Sequence, residues 1–157
     1  MIIGSKEIIA IEFNLVETNT TERKYGNVSL YLDNRSLGYY DDPISLDAFN
    51  LQLKRLINNQ DAFFDEFKDM SHDAIFEEIS KNDDVKFDST LFSLGESFDD
   101  FDIRYIKIDD EVRFLWRLSK DHFFSYEDEN YDIHGYSIKI EEIEKVQQEF
   151  DNILANS

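Results

Sequence analysis

Apolar and polar positions alternate from the start of the chain. Ile9, Ile11, Phe13 and Leu15 are interleaved with Ala10, Glu12 and Asn14, and a period of two marks a strand with one buried face. The run VETNTTERKYG reads as a polar turn region. Val28, Leu30 and Leu32 alternate with Ser29 and Tyr31 in a second strand, residues 33–35 make a short turn, and SLGYY begins a third strand. The opening third is therefore predicted to be an antiparallel meander.

Helical spacing takes over after Pro43, the only proline. Ser45 is placed to cap a helix, because its hydroxyl can accept an orphan backbone N–H. Leu46, Phe49, Leu53, Leu56 and Ile57 then form one apolar stripe. A second helix is predicted within 61–69, where Phe63, Phe64 and Phe67 cluster. A third starts at Ser71 and carries Ile75, Phe76 and Ile79, with Asp73 in its first turn to suit the helix dipole. KNDDVKFDST ends it.

Alternation returns in FDIRYIKI (101–108), turns at DDE and is answered by VRFLWRL (112–118). Phe114, Trp116 and Leu118 share one face of that strand and Arg113 and Arg117 the other. SKDHFFSYEDENYD is a long polar and aromatic connection. Tyr136, Ile138 and Ile140 suggest a last short strand, and Ile143, Val146, Phe150 and Ile153 a C-terminal amphipathic helix. The order predicts a single α+β domain over residues 1–157. Its sheet is mostly antiparallel, an N-terminal meander plus a central hairpin, packed with three to four helices.

Composition narrows the class. Apolar residues make up 41% of the chain and aromatics 15%, enough for a core. No apolar run approaches the roughly 18 residues of a membrane span. The start, MIIGSKEIIAIEF, has no basic leader region, so it does not read as a secretion signal and a cytoplasmic location is expected. The absence of cysteine excludes disulfides, thiol catalysis and thiolate-bound zinc.

Charge changes the picture most. Thirty-five acids face sixteen bases, a net of −19. Residues 61–132 alone hold 22 acids and 8 bases, a net of −14. Nucleic acid and anionic membranes are excluded as partners, since binding either needs Lys or Arg to displace counterions. A basic macromolecule is attracted instead. Solubility also accounts for an acidic composition, but not for concentrating the acids in one segment.

Catalytic and metal motifs are missing. DDFD supplies Asp99, Asp100 and Asp102, yet Phe101 and the strand that follows break the alternation of a calcium loop. His72, His122 and His134 are scattered without a ligand spacing, and five glycines are too few for a phosphate cradle. A carboxylate pair at glycosidase separation arises by chance among 35 acids, so it carries no weight. No cofactor is expected. A carboxylate-based hydrolase and a nucleic-acid mimic aimed at some other DNA- or RNA-binding protein stay open as alternatives.

Four stretches in order, IIGSKEIIAIEF, YGNVSLYLDNRSLG, GESFDDFDIRY and VRFLWRL, resemble the immunity proteins of bacterial polymorphic toxin systems, in the family numbered forty-two. The resemblance covers most of the chain, least from 59 to 91 and from 120 to 131. It implies a cytoplasmic antidote that binds and blocks a cognate toxin domain, with no enzymatic activity, no cofactor and no catalytic residue to carry over.

Candidate contact residues follow from combining acids with aromatics. Phe123, Phe124, Tyr126, Glu127, Asp128, Glu129 and Tyr131 bring both chemistries into one loop, as an anchor inside a charged rim requires. A solvated connection whose aromatics fold back onto the sheet is the competing reading. Asp99, Asp100 and Asp102 flank the packing residues Phe98 and Phe101 and are expected to face water or a basic toxin domain. Locally, Asp99 or Asp100 could instead cap a turn or pair with Arg104. Trp116 is expected in the core.

Overall fold

The computed structural model describes residues 1–16 and 23–157; the middle of the expected polar turn, 17–22, lies outside the described residues. In chain order the elements are β1 (Ile2–Ser5), β2 (Ile9–Val16), β3 (Tyr25–Leu32), β4 (Arg35–Leu37) and β5 (Ile44–Ser45). There follow α1 (Leu46–Asn58), α2 (His72–Lys81), β6 (Phe101–Ile108), β7 (Glu111–Leu118), β8 (His134–Lys139) and α3 (Ile140–Ala155). All strand pairs are antiparallel and fall into two sheets. One runs β1-β2-β3-β4 with β5 also on β3; the other runs β6-β7-β8.

The α+β architecture expected from the sequence is present, with the meander and the hairpin in separate sheets. The hairpin turns on Asp109 and Asp110, between the paired Ile108 and Glu111. Asp109 adopts a left-handed φ of 53°, which aspartate tolerates better than most residues.

Both capping serines do what their position predicts. Ser45 Oγ accepts the N–H of Ala48 at 3.1 Å, and Ser71 Oγ accepts that of Ala74 at 3.2 Å. Between these helices the expected helix over 61–69 is corrected. The segment holds two 3₁₀ turns, Gln60–Ala62 and Asp65–Phe67, around extended backbone at Phe63 and Phe64. The cause is a long-range pairing: Phe63 bridges Lys107, and the N–H of Phe64 donates to the Lys107 carbonyl at 3.2 Å. Covering the edge of β6 overrides the local helical tendency. Two further strands, β1 and β5, were not expected, and the third strand stops at Leu37.

The hairpin sheet is buried on both faces. Tyr105, Val112, Phe114, Trp116 and Ile138 join the main core with the first sheet, α1 and α3. Phe150 of α3 meets Phe13 edge-on at 5.0 Å and Phe49 of α1 at 5.7 Å. The reverse face places Ile106, Ile108 and Leu115 against Ile75, Phe76 and Ile79 of α2, with Phe64, Phe67 and Phe87. The acid-rich segment 61–132 thus supplies two strands of the second sheet and the layer packed on its reverse face.

Candidate functional site

The chain enters β6 through a 3₁₀ turn at Glu96–Phe98 and leaves β7 at Leu118, which pairs with Phe101. The Asp100 carbonyl extends that pairing by accepting the N–H of Ser119 at 2.8 Å. The departing connection then folds back over the Asp100 side chain. Oδ1 accepts the N–H of Phe123 at 2.7 Å. Oδ2 accepts the N–H of Phe124 at 3.0 Å and the hydroxyl of Tyr126 at 2.8 Å. Asp100 is only 8% exposed. Burial pushes its carboxyl up, but the two N–H groups, the Tyr126 hydroxyl and nearby His122 outweigh that and hold it below the ordinary range. The Tyr126 phenol is displaced the other way, above its ordinary value, by burial and by its bond to the carboxylate.

Aromatic contacts finish the clamp. Phe124 stacks on Tyr39 with centroids 4.2 Å apart, and Tyr126 stands edge-on to Tyr39 and to Phe101. His122 Nδ1 lies 2.6 Å from the Phe124 carbonyl, which can only accept, so Nδ1 carries the proton there. Nε2 lies 3.1 Å from the Tyr131 hydroxyl. Phe124, Tyr126 and Tyr131 are in this way turned partly inward. Phe123 points out and is 87% exposed, with exposed Glu127, Asp128 and Glu129 following it. Glu129 lies 3.6 Å from His122; among the described residues no cation pairs with Glu127 or Asp128.

The three aspartates of the DDFD stretch part company. Asp99 is exposed. Asp100 faces the loop, not water as expected, because three donors compete for its oxygens. Asp102 is half-buried and bonds the Arg104 guanidinium at 2.9 Å, so Arg104 pairs with this aspartate, not with Asp99 or Asp100. Trp116 is 3% exposed, a core residue as expected.

Beside the loop lies a cleft of about 630 Å³ between the β3–β4 turn and residues 126–130, floored in part by Trp116. His134 lines it 5.7 Å from the Trp116 ring, its imidazole pushed below its ordinary pKa by burial and by Arg35. The sequence reading overlooked both this cleft and Tyr39. The one signal available was the glycine at position 38, which follows β4 directly and has a φ of 92°.

Residues 1–155 match the family model described as immunity protein 42. The chain belongs to the immunity protein 42 family. Immunity proteins inhibit toxins in bacterial competition, which gives this member its general role and a protein partner. The crystal structure of CdiI from Burkholderia dolosa AUO158 shares its fold, with a TM-score of 0.67 over 100% of both chains at 18% identity. No curated protein matches the chain. Among the described residues no helix is long and apolar enough to cross a membrane, and no three His, Cys, Asp or Glu side chains gather as a metal site would need.

Proposed function

We propose that this immunity protein acts in the cytoplasm by docking a basic toxin domain, such as a nuclease, on the acidic face around loop 119–132. One observation supports the reading: Asp100 accepts three hydrogen bonds from a loop in which Phe123 and three carboxylates are exposed. Phe123 supplies an apolar anchor. Glu127, Asp128, Glu129 and Asp99 supply the charged rim. Asp100, Phe124, Tyr126 and Tyr131 position them, and Asp102 contributes through Arg104. A loop ordered before the encounter loses little entropy on binding. The acids draw a cationic partner in, and association above the roughly 10⁵–10⁶ M⁻¹s⁻¹ of uncharged pairs follows. The protein blocks its toxin by occupying it, without catalysis.

The test is to reverse Glu127, Asp128 and Glu129 to lysine together and follow association with the protein encoded in the adjacent reading frame. The on-rate falls and loses most of its salt dependence if this face docks. An unchanged on-rate and salt slope would place the docking surface elsewhere.

A further inference from the structure

We infer that the cleft beside the loop is a strand-addition groove, taking an extended basic segment of the toxin domain along the free edge of β4. The inference rests on the docking reading above and specifies what enters beside Phe123.

One wall of the cleft is made by Asp33, Asn34, Arg35 and Ser36 in succession, then Gly38. Side chains of successive strand residues point to opposite faces. Arg35 and Ser36, adjacent in β4, both line the cleft, so β4 meets it along its edge. The register says which backbone groups that edge carries. Asp33 and Asn34 have φ of 51° and 62°, and they join the paired Leu32 and Arg35. Two left-handed residues in a two-residue loop define a type I′ turn, whose closing pair exchanges both ladder bonds. Arg35 and Leu37 therefore bond Leu32 and Leu30 of β3, while the N–H and C=O of Ser36 turn away from the sheet into the cleft. No described residue bonds either group, and Ser36 is exposed. An unpaired edge is a template for a further strand.

The rest of the cleft selects the occupant. Glu127, Asp128 and Asp33 line it against one arginine, Arg35. Its lining also includes the apolar Phe101, Trp116 and Leu118. A strand with alternating apolar and basic side chains satisfies both. A second copy of this chain, with a net charge of −19, is repelled. Size agrees as well. A strand is about 4.8 Å by about 10 Å in section and rises about 3.3 Å per residue, so 630 Å³ houses about four extended residues.

The experiment is amide hydrogen exchange on the free protein and on its complex with the protein encoded in the adjacent reading frame, read at single-residue resolution. The Ser36 amide exchanges freely in the free protein, and the complex is expected to slow it at least tenfold. Ser36→Pro removes that N–H at an edge position where proline is tolerated and should speed dissociation about tenfold, one backbone hydrogen bond's worth, whereas Ser36→Ala should bind like the parent. A complex that protects loop residues 123–129 but leaves Ser36 unprotected overturns the groove and spares the docking reading. A complex that protects neither, or the absence of any complex, overturns both. Should Ser36→Pro fail to fold, exchange on the parent decides alone.

Discussion

Replacing one oxygen of Asp100 by nitrogen tests whether the clamp holds the loop. In Asp100→Asn the amide oxygen can still accept the N–H of Phe123. The new NH₂ group, where Oδ2 stood, meets the N–H of Phe124, donor against donor, and only the Tyr126 hydroxyl can rotate to accept from it. A hydrogen bond to a charged group contributes about 1.5–3 kcal/mol, and leaving a buried donor unpaired costs a similar amount. A total of about 3 kcal/mol is therefore lost from the closed loop, which raises its open population about 100-fold at 1.36 kcal/mol per factor of ten. Chymotrypsin cleavage after Phe124 and Tyr126 reads that population when reclosing outpaces cutting. Urea unfolding followed by Trp116, the single tryptophan, reads the core separately. The variant should be cut in the loop about 100-fold faster, with the core losing no more than the clamp contributes. Acid is the second arm. The Asp100 carboxyl is held below its ordinary 3.8, so its stabilisation is complete above that pH and disappears as the pH falls through the folded value. Pepsin should open the parent loop only in that acid window, while the asparagine variant keeps its raised open population independent of pH. Cleavage of the variant within about threefold of the parent would refute the clamp.

Other substitutions probe the remaining polar anchors. Tyr126→Phe should lower stability at neutral pH by about 2 kcal/mol, one hydrogen bond to a carboxylate. Because the folded phenol is held above 10.0, its stabilisation is present below pH 10 and lost as the pH rises, so the variant's stability curve should be flatter above pH 10; equal alkaline slopes would refute the bond. Lys107 is 1% exposed and donates to the carbonyls of Ile57 and Asn59 at 3.0 and 2.8 Å, at the C-terminal end of α1. Lys107→Met should lower the urea stability by about 2 kcal/mol by stranding both carbonyls, and an unchanged midpoint would show that removing the buried charge compensates.

Features of local origin were legible in the sequence. Ser45 and Ser71 announce their helices, because a cap acts within three residues. The 101–118 hairpin announces itself, because its two strands alternate on either side of a two-residue turn. What failed was non-local. Phe63 and Phe64 sit at helical spacing from Phe67, yet the edge of β6, some forty residues later, pulls them into extended backbone. β1 begins with two adjacent isoleucines and a glycine, which show no alternation, and it forms only because β2 offers an edge. The site divides in the same way. The aromatic and acidic content of 123–131 could be read directly. That Asp100 faces inward could not, since its three donors lie 23 to 26 residues away.

The proposed acidic outer face gains from the placement of the cations in the same segment, half of which point inward. Of the eight bases in 61–132, Lys107 ends on two carbonyls of the α1 terminus. Arg113 reaches the Phe67 carbonyl at 3.4 Å, and the Arg117 guanidinium lies over the Phe76 ring at 5.1 Å. Arg104 spans Asp102 and the Ile79 carbonyl. All four sit on the hairpin sheet, beneath α2 or against α1. Lys68, Lys81 and Lys86 are the ones that pair with surface acids. The sheet cations thus bind the outer layer to the sheet by capping its carbonyls and rings, which leaves carboxylates outnumbering cations on the solvent side. Such an arrangement satisfies two requirements that otherwise conflict. Buried positive groups beneath the layer offset some of its self-repulsion, while a partner approaching from outside meets negative groups first, within the roughly 8 Å over which physiological salt leaves charge unscreened.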